Sequence, residues 1–412
     1  MKKKKIVFVI NYFYPDLAST GQLMTDLCLH LQSKYDITVV ATQPHYANQT
    51  VESIVRFETE YLERIKVVRI KMPNVIKESK ISRIKYITSY FLLANIALLK
   101  EKNTDIIYTI SQPPVLGGLI GTIGKVLKNS KHVYNIQDFN PEQAIAINYA
   151  KSKIVTKIAK KIDMINCSFS DCIVLVGSDM KNTLETRFAD KKVPNNIVIN
   201  NWTDEENLRP LSKTHDGVTR FLEKYKLEDK FIIMYSGNIG LYYDLENIIQ
   251  VILKFKNIRN LAFVFIGDGA TKKQLEEFKI KNNMENVYFL PYQDKEEIKY
   301  SFNAANVHLV VNQKGIKGVS VPSKIYGVMA AGKPIIGVLE KGSEAAEIIS
   351  ASDCGILVEP KEYEEIFGAI KMMIEESAED LESMGLKGRE YLDLHFKKVS
   401  SLEKYERLFE VL

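Results

Sequence analysis

In the run Val321-Pro322-Ser323-Lys324-Ile325-Tyr326-Gly327, a lysine and a hydroxyl directly follow a proline, where an apolar helical pattern begins. That pattern ends at Gly332-Lys333-Pro334, ahead of the strand-like run Ile335-Ile336-Gly337-Val338. Free backbone N–H groups at a helix start, beside a fixed positive charge, form a seat for a diphosphate. Two glycine turns point the same way, each behind an apolar run: Tyr235-Ser236-Gly237-Asn238-Ile239-Gly240 and Phe265-Ile266-Gly267-Asp268-Gly269. Glycine lets backbone amides close on a phosphate, although tight α/β turns use it as well. Earlier in the chain, Ser19-Thr20-Gly21 is either a helix cap or a loop that touches a sugar or phosphate. Asp138 follows an apolar run and precedes Pro141, so it is either a cap or a carboxylate presented beyond a strand end. Glu344 either accepts from paired hydroxyls or is the acid that opens a helix over Ala345 to Ser350.

Other chemistries find no support. The loop after the first apolar run, Asn11 to Gln22, has no G-x-G-x-x-G and no P-loop, which argues against a dehydrogenase or a P-loop nucleotidase. The six histidines show no H-x-x-x-H spacing; His308 sits in an apolar strand as a core residue, and His45 lies in a loop able to reach a cleft. Cys28, Cys167, Cys172 and Cys354 show no C-x-x-C spacing, which favours reduced thiols and a cytosolic setting.

The elements that must position these groups alternate along the chain. Strand-like runs at Ile6–Ile10, Ile37–Ala41, Val67–Ile70, Ile106–Thr109, His132–Ile136, Cys172–Val176 and Ile197–Ile199 are separated by helical patterns, including Gln22–Ser33 and Ile84–Lys100. A polar stretch, Asn200 to Asn207, then reads as a linker. The pattern restarts with runs at Phe231–Tyr235, Ala262–Ile266, Val287–Leu290, Val307–Val311 and Ile335–Val338, followed by a helical tail from Tyr363. Continuous apolar strands joined by helices imply parallel sheets covered on both faces. At 412 residues the chain has room for two such domains, and its composition, 46% hydrophobic and 26% charged, is that of a globular protein. In open sheets of this kind ligands bind beyond the carboxyl ends of the strands.

Charge divides unevenly. Residues 1–200 hold 28 Lys and Arg against 17 Asp and Glu, leaving 28 against 34 in the remainder. The basic half suits an anionic surface or partner. Lysines 151, 153, 157, 160 and 161 share a helical pattern with Ile154, Val155, Ile158, Ala159 and Ile162, either as a solvated face or as a basic amphipathic helix on a membrane. The basic start, Met1 to Lys5, leads into an apolar run too short for a signal peptide, and no uncharged segment has membrane-spanning length.

In combination the second-half motifs carry a family resemblance. Tyr-Ser-Gly-Asn-Ile-Gly from Tyr235, Ile-Gly-Asp-Gly from Ile266, Asn286-Val287-Tyr288-Phe289-Leu290-Pro291, Pro322-Ser323-Lys324, Ala330-Ala331-Gly332-Lys333-Pro334 and Gly342 to Glu347 resemble family 4 glycosyltransferases of the GT-B fold. Within that family they resemble the N-acetylfucosamine-type transferases of surface polysaccharide (O-antigen and capsule) synthesis. Tyr12 to Asp16, Gln112-Pro113-Pro114 and Gln137 to Glu142 agree, so the likeness covers nearly the whole chain. The resemblance implies two Rossmann-like domains facing across a cleft, with an acceptor-side domain over residues 1–205, a nucleotide-sugar domain over 206–377, and helices over 378–412 that return to the first domain. It implies retaining transfer from a UDP-sugar donor with no cofactor and no metal. Lys324 then neutralises the departing diphosphate. Gly237, Asn238, Gly267, Gly269, Ser323, Glu344, Thr20 and Gly21 contact the donor, Tyr292 lies where the nucleobase docks, and Asp138 orients the acceptor or meets oxocarbenium-like charge. The expected acceptor is lipid-linked, of the undecaprenyl diphosphate type. The enzyme would then be cytoplasmic and peripheral on the inner face of the membrane, with no nucleic acid partner.

The chain also departs from the family. Many members carry two glutamates eight positions apart, where this chain has Val319 and Gly327. Many carry Arg and Lys on the first glycine loop; here Asn238 replaces the former, and no lysine follows in Leu241-Tyr242-Tyr243-Asp244. A sugar-nucleotide epimerase of the same architecture, or a nonenzymatic partner subunit, are the alternative readings.

Overall fold

The computed structural model describes residues 3–16, 18–44, 56–73, 80–150 and 152–412. His45 and Lys151 lie outside the described residues. The chain divides into two compact units, one of residues 1–200 together with 402–412, the other of residues 201–401.

The first unit runs β1 (Lys5–Val9), α1 (Ser19–Leu31), β2 (Asp36–Thr42), β3 (Phe57–Leu62), β4 (Ile65–Ile70), α2 (Lys80–Lys100), β5 (Ile106–Ile110), α3 (Leu116–Lys128), β6 (Lys131–Ile136), α4 (Glu142–Ala146), α5 (Lys153–Phe169), β7 (Cys172–Leu175), α6 (Met180–Arg187) and β8 (Asn196–Val198). Its sheet has the order β3-β4-β2-β1-β5-β6-β7-β8. All pairings are parallel except β3 with β4. The antiparallel β3, which strand patterning does not reveal, is Phe-Glu-Thr-Glu-Tyr-Leu and largely exposed; charged side chains suit an edge that must not recruit another strand. β1, β2 and β5 to β7 are instead almost wholly buried and rich in β-branched residues, as parallel strands between two helical layers must be.

The second unit runs α7 (Asp216–Tyr225), β9 (Phe231–Ser236), α8 (Leu245–Leu253), β10 (Leu261–Ile266), α9 (Lys272–Lys281), β11 (Val287–Leu290), α10 (Ile298–Ala304), β12 (Val307–Val311), α11 (Lys324–Ala330), β13 (Ile335–Val338), α12 (Glu344–Ser352), β14 (Gly355–Val358), α13 (Tyr363–Glu375) and α14 (Ala378–His395). Its sheet, wholly parallel, has the order β11-β10-β9-β12-β13-β14. The last helix, α15 (Lys398–Val411), spans the division between the units.

The expected boundary at 377 is corrected. Residues 378–401 stay with the second unit because α14 packs on α11 and α12. Two glycines permit the contact: a methyl on Gly385 would stand 2.1 Å from the Gly332 carbonyl oxygen, and one on Gly388 would meet Cys354 at 2.8 Å. Only Leu402–Leu412 joins the first unit. There Phe409 packs edge-on to Phe8 and Tyr108, and the Tyr405 hydroxyl accepts from Asn135 at 2.9 Å. The other boundary falls after Asn200 instead of after 205.

Candidate functional site

The glycine loops at the carboxyl ends of β9 and β10 are built as one piece. Gly237 N–H donates to Ile266 O, Ile239 N–H to Asp268 O, and Thr271 binds Ile239 O through both its N–H and its hydroxyl. Gly237 and Gly267 have φ of +135° and +140°, where a side chain is strained. A methyl on Gly267 would fall 2.0 Å from Gly237 O, and one on Gly269 would fall 2.2 Å from Ile239 O. The second loop therefore needs glycine to lie against the first. Gly237 is different. A methyl there would meet only Lys324, at 3.6 Å from Cε and 3.8 Å from Nζ.

Lys324 opens α11, a helix of seven residues for which Ser323 makes no side-chain cap. So short a helix adds little field, and the positive charge at this point comes from the side chain and not from the helix start. The stem of Lys324 is half-buried, yet its ammonium is sealed from solvent and has no hydrogen-bond partner among the described residues. It rests on two aromatic faces, 3.8 Å from the ring centroid of Tyr235 and 4.1 Å from that of Tyr243. Burial holds its pKa well below the usual lysine value. An ammonium over ring faces gains electrostatic attraction but keeps unmet hydrogen-bond capacity, so it is primed for an anion.

The two tyrosines are the site residues that sequence reading misses. Tyr235 is the penultimate residue of β9, and its hydroxyl donates to Asn238 O at 2.6 Å; Tyr243 follows the same loop. Their signal was present as tyrosines on either side of a Ser-Gly-Asn-Ile-Gly turn. Asn238 is exposed, with its amide against Gly240 and Gly269. Tyr292, 40% exposed, lies with its ring edge 3.5 Å from where a Gly267 methyl would be, and its hydroxyl is 3.4 Å from Asp268 O. Glu344 is buried as the first residue of α12, and before it the buried Ser343 hydroxyl has no hydrogen-bond partner among the described residues. The loop between β12 and α11 is held by Glu340, whose carboxylate accepts from Gly315 N–H and Lys317 N–H at 2.8 and 3.0 Å.

The remaining candidates belong to the first unit. Asp138 follows β6; its N–H donates to Ser111 Oγ at 3.2 Å, and its carboxylate accepts from Gln143 at 2.9 Å. It does not cap α4, whose N-cap position is Pro141. The next residues are clamped from beneath by Arg187, which binds Asn140 O, Glu142 and Asp163 and lies over the Phe139 ring at 4.4 Å. Thr20 and Gly21 form the first turn of α1, with no side-chain cap, and Gly21 sits against Tyr12. His308 donates from Nε2 to Phe302 O at 3.0 Å and stacks on the Phe302 ring, as a core residue. Among the described residues no cluster of His, Cys, Asp or Glu is placed to hold a metal ion, all four cysteines are free and buried, and no helix is long and apolar enough to cross a membrane.

Two parallel-sheet units with glycine loops at the strand ends define the GT-B fold, and solved structures agree. The sucrose-phosphate synthase of Thermosynechococcus elongatus superposes with a TM-score of 0.75, covering 99% of this chain and 98% of that one at 14% identity. The Anabaena protein HepE in complex with UDP-glucose gives 0.72, covering 99% and 100% at 15% identity. Residues 218–391 match the family model described as "Glycosyl transferases group 1". The chain is 27% identical over 339 residues to the probable glycosyltransferase WbjE of Pseudomonas aeruginosa, covering 81% of this chain and 82% of that one. It is 23% identical over 386 residues to WcaI of Escherichia coli K12, a putative colanic acid biosynthesis glycosyl transferase, covering 90% and 92%.

Proposed function

We propose that this protein is a retaining, metal-independent glycosyltransferase of bacterial surface polysaccharide synthesis. It moves a HexNAc or deoxy-HexNAc sugar from a UDP-sugar to a lipid-linked acceptor of the undecaprenyl diphosphate type, working as a peripheral enzyme on the inner face of the cytoplasmic membrane. The observation that carries this reading is the Lys324 ammonium, sealed over Tyr235 and Tyr243, with no acceptor among the described residues, and facing Gly237 within the segment that matches the group 1 model.

In the reaction, the sugar C1–O bond to the diphosphate breaks and negative charge gathers on the leaving oxygens. Lys324 meets that charge with its unused N–H donors, in a site too dry for water to screen it. The acceptor hydroxyl forms the new bond to C1 on the same face, and its proton passes to a departing phosphate oxygen. Gly237 and Asn238 approach the phosphates, Ser323 and the Gly267–Gly269 loop border them, and Tyr292 offers a ring to the base. Glu344 takes the ribose hydroxyls, a role supported by the unpartnered Ser343 hydroxyl beside it. Asp138 orients the acceptor hydroxyl, and Thr20 and Gly21, in the first turn of α1, contact the donor. The WcaI name and the UDP-glucose bound to HepE support the polysaccharide and donor assignments.

The test is transfer of radiolabelled sugar from UDP-HexNAc donors to lipid-linked acceptors, with and without EDTA. Transfer that survives EDTA and is lost in a folded Lys324→Ala variant is the expected result. Full activity in that variant would remove Lys324 from the mechanism. Epimerised product from UDP-sugar alone would give the alternative of a sugar-nucleotide epimerase.

A further inference from the structure

Two helices of the first unit present to the surface what a helix on a sheet ordinarily turns inward. α2 packs Tyr90, Ala94, Ala97 and Leu98 into the core under the sheet. Its opposite side carries Ile81, Ile84, Leu92, Ile96 and Leu99, all exposed, Ile81 by 80% and Ile84 by 64%. At 3.6 residues per turn these five fall within about a third of the helix circumference. A helix that is apolar on both sides is normally covered on both. α5 repeats the arrangement with Ile154, Ile158, Ile165 and Phe169, all exposed, Ile154 by 72%. α3 packs against both α2 and α5, and adds exposed Val126 and Leu127.

The charges on these helices have one sign. Arg83 and Lys85 on α2, and Lys153, Lys157 and Lys161 on α5, are exposed. The two helices contain a single acid, Asp163, and it is buried against Arg187 and Tyr134. An apolar stripe alone would suit any greasy partner. Here lysines 157 and 161 stand beside the stripe itself, so pairing two copies of the face would set cation against cation. We propose that the outer faces of α2 and α5 seat the first unit on an anionic lipid bilayer, with both helices lying in the plane of the headgroups. Isoleucine, leucine and phenylalanine reach the acyl boundary while lysine and arginine meet lipid phosphates.

This deepens the transferase reading and rests on it only for its purpose. Both helices begin at the end of the sheet where the candidate residues lie. Near its start α2 brings the Tyr86 hydroxyl within 3.5 Å of Asn11, just past β1. Lys160 of α5 lies 3.4 Å from Glu142, four residues beyond Asp138. A bilayer on this face therefore holds the Asp138 loop beside the headgroup layer, where the sugar of a lipid-anchored acceptor emerges.

The experiment is flotation of the purified full chain with extruded vesicles, one set of phosphatidylglycerol and phosphatidylethanolamine, the other of phosphatidylcholine. Binding to the anionic set, weakened by salt and about tenfold or more weaker on phosphatidylcholine, is expected. Lys153→Gln, Lys157→Gln and Lys161→Gln together weaken binding by about fivefold per charge removed. Ile84→Ser, Leu92→Ser and Ile96→Ser together abolish it, with the melting curve and UDP titration unchanged. Failure to bind anionic vesicles, or binding that survives both sets of substitutions, overturns the proposal. So does a dimer that the α2 substitutions convert to monomer, which would make a second copy the occupant. The UDP titration uses no lipid, so loss of the membrane seat and loss of the transferase reading are read separately.

Discussion

Arg187 in the first unit and Lys324 in the second are both enclosed near a candidate loop, and the two are treated in opposite ways. Arg187 in the first unit is fully enclosed and fully answered, by Glu142, Asp163 and the Asn140 carbonyl. Burial alone would lower its pKa, but hydrogen bonds to Glu142 and the charges of Asp163 and Glu142 hold it above the ordinary value. Lys324 in the second unit has the burial with no hydrogen-bond partner among the described residues. A satisfied cation stiffens the loop it holds, whereas an unsatisfied one keeps its bonding capacity for something that arrives. Under the proposed transferase reading, the contrast separates a structural charge from a functional one without appeal to position in the chain.

Substitution should break the contrast most sharply at Arg187. Arg187→Leu leaves Asp163 buried without its counter-charge and Glu142 with Lys160 alone, and we expect a loss of about 3–5 kcal/mol in urea unfolding. Lys324→Met should do the reverse. Removing an unpaired buried charge leaves stability unchanged or improved, while transfer falls by about 10²–10³-fold. If Lys324→Met instead unfolds the protein, the lysine is structural and the contrast fails.

pH sharpens the comparison next. Because its pKa is depressed in the fold, Lys324 binds fewer protons folded than unfolded. Its unfavourable contribution to stability therefore shrinks as pH rises from the depressed value toward 10.5. A bound diphosphate draws the proton back, so UDP affinity should fall as pH rises through that window. Calorimetry in buffers of different ionisation enthalpy should register proton uptake, and Lys324→Met should lose both signals. The smallest effect belongs to Gly237→Ala. The added methyl meets Lys324 at ordinary contact distance, so only the backbone at φ +135° resists, and a loss of about 1–2 kcal/mol in unfolding free energy is expected.

Much of this was legible in the residues. Buried parallel strands such as Leu261–Ile266 announce themselves, because both faces must be apolar. The glycine turns and the Pro322-Ser323-Lys324 run likewise mark strand ends and a helix start. What stayed hidden depends on tertiary contact. Lys324 lies far from Tyr235 and Tyr243 in sequence, and only folding sets it on their rings. Gly267 and Gly269 read as phosphate-approach residues, yet their lack of a side chain is also demanded by the neighbouring loop. β3 escaped because an edge strand of alternating charge resembles a loop. The outer stripe of α2 was invisible because periodicity shows which residues are apolar, not which of two apolar sides meets the sheet.

The split ownership of α15 has a consequence for how the protein is made. Residues 201–401 complete a sheet and its helices from one continuous stretch of chain, and that unit can close as soon as it leaves the ribosome. The other begins first and finishes last: its aromatic heart stays open until Tyr405 and Phe409 have been synthesised. A chain cut after Ser401 would keep the younger half intact and leave a gap in the older one.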